Sequence, residues 1–172
     1  GFLNVILDDL EKAGGYTRAE YETITGEVKT IRAYYIFKLL QFFAPYNNDN
    51  LGIPLNLDSE NVIPGGRLSQ REVYRIIIRE LEEVLAYETV RETWNMFYYP
   101  GIVKAILAQV YMYKATSAAA EESDWANAEK YSGELIVNYE PENREDILAG
   151  MFAGTVREYQ VGGMNYQLRM TY

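Results

Sequence analysis

The stretch from Gly26 to Tyr46, GEVKTIRAYYIFKLLQFFAPY, limits the fold more tightly than any other part of this 172-residue chain. Ile24, Val28, Ile31, Tyr35, Leu39 and Phe42 recur at steps of three and four, which places them on one face of a helix. Tyr34, Phe37, Leu40 and Phe43 carry the apolar surface around a second side. A band that wide predicts a helix buried on two faces, with the rest of the chain packed around it. Thr17 and Glu20 fit a capping box ahead of it, and Pro45 with Asn47 and Asn48 ends it. The helix should therefore run for about seven turns at about 3.6 residues each.

The flanking segments supply partners. Phe2, Leu3, Ile6, Leu7 and Leu10 share one face of a first helix over residues 2 to 13, which Gly14 and Gly15 stop. The link to the central helix is so short that the two should lie antiparallel as a hairpin. Residues 46 to 66 have no period and are rich in Asn, Asp, Gly and Pro, which predicts an ordered loop over the surface. Its length points to a functional or partner-binding role. Ser69 and Glu72 form a second capping box, and Val73, Ile76, Ile77, Leu81, Val84 and Leu85 then follow one face to about Tyr87.

A polar run from Glu88 ends in Trp94, Met96, Phe97, Tyr98 and Tyr99, an aromatic knot before Pro100, which suits the first position of a helix. Ile102, Val103, Ile106, Leu107, Val110 and Tyr111 continue that helix, and Ala105, Ala108 and Ala115 let a neighbour approach closely. Asp124 to Asn138 forms the last long helix, with Ser123 as its cap and Pro141 as its close. Leu107, Ala108 and Tyr111, then Ala128 and the closing proline, follow the tetratricopeptide pattern loosely with a lengthened turn.

After Glu142 the period changes. A short helix through Ile147, Leu148 and Met151 precedes Met164, Tyr166, Leu168, Met170 and Tyr172, which alternate with polar residues as a half-buried strand does. Gly162 and Gly163 separate it from a rougher run between Val156 and Val161, a hairpin signal. The expected fold class is mainly α, tetratricopeptide-like stacked helical hairpins with a small C-terminal β-hairpin. Residues 1 to 141 form the helical region and residues 142 to 172 the short helix and hairpin. An isolated two-stranded hairpin is marginal in water, so it should lean on the helices or on further sequence.

Composition removes whole classes of function. A net charge of −9, with 16 scattered Lys and Arg, argues against nucleic acid and against an anionic membrane surface. Without histidine or cysteine the chain cannot supply a Ser-His-Asp or Cys-His mechanism, or the common zinc sites. No apolar run reaches membrane-spanning length, so any membrane anchor is expected outside this chain. Asp8-Asp9, Glu82-Glu83 and Glu121-Glu122 are sequence neighbours whose side chains diverge, unlike the facing pair that glycoside hydrolysis needs. No catalytic set and no cofactor site is expected. Asn47, Asn48, Asp49 and Asn50 offer hard oxygen ligands, but their spacing is that of a turn rather than a calcium loop.

The sixteen tyrosines exceed what a helical core needs. Tyrosine offers a flat apolar face with a polar tip, suited to half-buried packing and to sugar rings. Tyr46, Trp94, Tyr98 and Tyr99 sit in or beside loops and are the candidate ligand-binding residues, whereas Trp125, Tyr131 and Tyr139 lie on a helix and read as packing.

Five stretches, in order, carry a family resemblance. Gly26-Glu27-Val28-Lys29 with Ile31-Arg32-Ala33-Tyr34-Tyr35 and Lys38-Leu39-Leu40 resembles the most characteristic helix of the SusD/RagB family of outer-membrane nutrient-binding lipoproteins. Leu51-Gly52-Ile53-Pro54-Leu55 is similar to that family's Gly-Ile-Pro-Leu segment, and Arg67-Leu68-Ser69 before Val73-Tyr74 to its next helix start, with Gly66 where proline is usual. Ala105 to Tyr111 and Asp124 to Glu129 resemble the helices either side of its following turn, here longer by eight residues. The resemblance implies a non-catalytic cell-surface protein that captures nutrient, usually a polysaccharide or oligosaccharide, for a TonB-dependent outer-membrane transporter. It places this chain mostly in the helical scaffold, and no ligand residue of the family aligns here. The alternative is a tetratricopeptide-type protein-interaction module that binds no glycan.

Overall fold

A computed structural model describes residues 2–57, 66–87, 100–136 and 144–145, together with the backbone of 156–161 and 164–169. The chain divides into two compact units, Gly1–Ile136 and Val137–Tyr172. The first contains α1 (Phe2–Ala13), α2 (Arg18–Phe43), α3 (Gln70–Leu85), α4 (Pro100–Ala115) and α5 (Asp124–Ile136). In the second, β1 (Val156–Val161) and β2 (Met164–Arg169) pair antiparallel, with Val156 opposite Arg169 and Val161 opposite Met164. Ile147, Leu148 and Met151, expected in a short helix, lie outside the described residues, as do Asn138 and Pro141.

Both capping boxes form. The Thr17 hydroxyl accepts from the Glu20 N–H while the Glu20 carboxylate accepts from the Thr17 N–H at 2.9 Å, and Ser69 and Glu72 repeat the arrangement at the start of α3. Each satisfies two backbone donors that a helix start leaves free. Gly14 and Gly15 take φ values of +61° and +82°, the left-handed region that lets α1 reverse into α2. The reversal brings Asn4 beside Arg32, whose Nη1 donates to Asn4 Oδ1 at 3.1 Å. Arg32 also grips Glu80 of α3 with two hydrogen bonds, of 2.6 and 3.1 Å, so one half-buried cation ties three helices together.

The core lies between α2, α3, α4 and α5. Phe37, Ile77, Leu81, Val103, Leu107 and Val110 are fully buried there, and Ala128 and Tyr131 face them from α5. The two faces expected of the central helix are not both buried. Ala33, Ile36, Phe37 and Leu40 point inward, whereas Tyr35, Leu39, Phe42 and Phe43 face outward, with Phe42 79 % exposed. The cause is the placing of α1, α3 and α4, which pack against α2 and leave its outward residues uncovered among the described residues. The width of an apolar band records how much surface could be buried, not which side receives a neighbour. On α1, Leu7 and Leu10 are buried but Phe2 is exposed, and Asn4 takes an inward position because its amide donates to the Asn56 carbonyl at 2.9 Å.

The connection after α2 is not wholly on the surface either. Gly52 donates its N–H to the Leu68 carbonyl at 3.0 Å, and Leu68 donates back to the Ile53 carbonyl at 3.2 Å. This two-bond ladder turns Ile53 into the core at 3 % exposure. A Cβ at position 52 would lie 2.5 Å from the Leu68 oxygen, so only glycine permits the crossing. Buried Gln70 donates its side-chain amide to the Pro45 and Asn48 carbonyls, which fixes the α2 exit against the start of α3.

Candidate functional site

Of the four candidate residues, the structure describes Tyr46, while Trp94, Tyr98 and Tyr99 lie outside the described residues. Tyr46 is 75 % exposed, held by its own carbonyl, which accepts from the Ala118 N–H at 2.8 Å. On the outer side of α2, Tyr35, Leu39 and Phe42 are exposed as well. The polar residues beside Tyr46 form a turn. Asn48 Oδ1 accepts from the Asn50 N–H at 3.1 Å, and Asp49 Oδ1 accepts from the Arg71 N–H at 2.8 Å. The Asp49 carboxylate is thus engaged by α3.

A second feature is a groove of about 520 Å³ where α3 meets the C-terminal end of α4 and the start of α5. Its floor is an unusual polar interior. Lys114 is 3 % exposed, and its ammonium donates to both Asp124 carboxylate oxygens, at 2.7 and 2.8 Å, and to Glu121 at 2.8 Å. The same Asp124 accepts from the Glu121 N–H at 2.7 Å, so the pair also braces the turn into α5. The hydrogen bond and charge of Lys114 hold the Glu121 carboxyl below the usual carboxylate range. A buried cation with these acceptors is fully used and has no free donor for a ligand.

Tyr111 of the groove lining stacks on Tyr131 behind it at 5.9 Å and 15°, and both hydroxyls donate to Glu82 Oε1, at 3.2 and 3.1 Å. Burial, with the Glu82 charge beside it, pushes the Tyr131 hydroxyl up to about 12 and raises that of Tyr111 as well. Glu83 turns the other way, to Lys29 and the Tyr87 hydroxyl. The adjacent carboxylates therefore serve different partners, and their geometry gives neither a common substrate. Tyr131 packs, in line with its helical position, whereas Trp125 is 57 % exposed.

Along the rim, α3 presents Arg71, Arg75 and Arg79 at successive steps of four residues. Arg71 is engaged by Asp49 at 3.5 Å and Glu121 at 3.1 Å. The sequence reading passed over this row and over Lys114. The Arg row was visible as an i, i+4 repeat, but nothing in the order of residues marks Lys114 as buried. Among the described residues no group of three metal-ligating side chains occurs, and no helix is long and apolar enough to cross a membrane.

Solved structures similar to this chain agree in fold. A SusD-like carbohydrate-binding protein from Bacteroides vulgatus matches 87 % of the chain with a TM-score of 0.66 at 23 % identity, over 31 % of its own length. A SusD superfamily protein from Bacteroides fragilis matches 87 % at a TM-score of 0.62 and 18 % identity, over 31 % of its length. Surface glycan-binding protein A from Bacteroides uniformis matches 83 % at 0.60 and 22 % identity, over 30 % of its length. The chain thus spans about a third of the length of the solved proteins it resembles. No family model matches the chain, and no curated protein matches it in sequence. The family resemblance read from the five sequence stretches and the likeness in fold point the same way.

Proposed function

We propose that this chain is the helical scaffold of a SusD-like, non-catalytic cell-surface protein that binds glycan and works with a TonB-dependent outer-membrane transporter. The observation that carries the reading is the likeness to the B. vulgatus SusD-like carbohydrate-binding protein over 87 % of the chain. The finer parts of the reading are the tetratricopeptide-like pairing of helices, the closing β-hairpin and the lipid anchor outside the chain. In this reading glycan contacts come from loop aromatics, with Tyr46, Trp94, Tyr98 and Tyr99 as stacking surfaces.

Affinity electrophoresis through gels containing single polysaccharides tests it. Retardation of the chain, lost in Trp94→Ala and Tyr99→Ala, locates a sugar site in the aromatic knot. Retardation of a longer form alone supports a scaffold role, and retardation of neither removes the glycan reading. One observation favours a second reading, a helical protein-interaction module. The outward strip of Tyr35, Leu39, Phe42 and Phe43 is a contiguous apolar surface of the kind that marks protein contacts. Binding of a protein partner, abolished by Phe42→Ser, with no retardation on any glycan would establish that module instead.

A further inference from the structure

We propose that the groove between α3 and α5 binds an extended acidic peptide segment with carboxylates at alternate residues, recognised by Arg75 and Arg79. Among the described residues, these two guanidinium groups line the groove without a hydrogen bond or ion pair. The only electrostatic influences shown for Arg75 are on Glu72 and Glu121. Every other cation in the groove is held. Lys114 is enclosed by Asp124 and Glu121, and Arg71 is taken by Asp49 and Glu121. The charge left to be complemented is therefore two adjacent planar forks, the geometry that matches carboxylates two bonds at a time.

Spacing selects the form of the ligand. Four helical residues rise about 6 Å, and alternate side chains on an extended chain stand about 6.6 Å apart. Two acidic residues separated by one residue would meet both forks with little adjustment. The ends of the groove limit the run. Arg71 is neutralised at one end, and the fixed Glu82 carboxylate stands at the other, so a longer acidic stretch meets repulsion there. The lining favours peptide over sugar, because Tyr111 is buried and stacked on Tyr131, leaving no open ring face as a platform. Ser123 and Asn127 on the α5 side offer polar groups for a peptide backbone.

The test is fluorescence anisotropy of the intact chain with a labelled, capped peptide carrying glutamates at alternate positions. The matched glutamine peptide is the reference. Saturable binding is expected for the glutamate peptide, at least tenfold weaker for the glutamine peptide, and weakening as salt rises. Arg75→Gln with Arg79→Gln should weaken binding at least tenfold, while the charge-matched pair Lys12→Gln and Arg67→Gln leaves it within twofold. Both variants change exposed side chains, and a thermal melt confirms that each is folded. Equal binding of the two peptides, or no loss in the Arg variant, overturns the proposal. Tighter binding of an oligogalacturonate than of the peptide, lost with the same arginines, overturns the peptide assignment. The outcome is separate from the polysaccharide gels, which address neutral stacking surfaces.

Discussion

The groove side of the first unit and the outer side of α2 are built from the same material, a helix with apolar residues at steps of three and four, yet they end in opposite states. On α3 the apolar residues fall on one face, that face is covered by α2 and α4, and Glu80 and Glu82 at its edges are tied to Arg32 and to Tyr111 and Tyr131. On α2 apolar residues run around the helix, and the side facing α1, α3 and α4 is covered while Tyr35, Leu39, Phe42 and Phe43 stay exposed. Burial follows from the neighbours a helix meets, and periodicity only says what a neighbour would find. A polar group enclosed in such a place must be matched, whereas an apolar group left outside costs little.

That contrast can be broken in three ways. The largest effect is expected at Lys114. Lys114→Ala leaves Asp124 buried at 1 % exposure with no cation, which should lower stability by about 3 to 5 kcal/mol. A urea midpoint that barely moves would mean the pair is not enclosed as described. The next is at Tyr131, where Tyr131→Phe removes one donor from Glu82 and should cost about 1 to 2 kcal/mol at neutral pH. Its pH dependence is a sharper reading. The folded state holds this hydroxyl at about 12 against an ordinary value of 10.0, so its contribution is full below pH 10 and is lost as pH rises from 10 to 12. The fall of the thermal midpoint across that window should be shallower in Tyr131→Phe than in the parent, and an unchanged slope would mean the hydroxyl is not shielded. The smallest effect belongs to the strip, where Phe42→Ser should shift the stability of this chain by no more than about 0.5 kcal/mol. A loss comparable to that of Lys114→Ala would place Phe42 in a core rather than on a face.

Sequence and structure agree where the signal is local. Thr17 with Glu20 and Ser69 with Glu72 were readable because a capping box needs only four residues in a row. Gly14 and Gly15 were readable because only glycine takes their dihedral angles easily. Three features depended on residues distant in sequence and could not be read in the same way. The buried side of α2 depends on where α1 and α3 land. Ile53 reaches the core only because Leu68 supplies the ladder partners. Lys114 is enclosed only because the turn before α5 brings Glu121 and Asp124 back onto α4. For the candidate site, Tyr46 is exposed, as its place beside a loop suggests, while the arginine row of α3 was legible only as an i, i+4 repeat whose groove is made by α4 and α5.

The Gly52 crossing closes the region between α2 and α3 at its base. Because Gly52 and Ile53 are bonded to Leu68, the two ends of the segment 54–67 are closed on each other by main-chain bonds rather than by the segment's own length. The closure cost of a loop whose ends already meet grows slowly with length, by about 0.6 kcal/mol for each doubling. Within the segment, Asn56 accepts from the Asn4 side chain of α1, so its near end is tied to the helices as well. The crossing thus works as a clasp at the base of the segment, and it holds only while position 52 stays glycine.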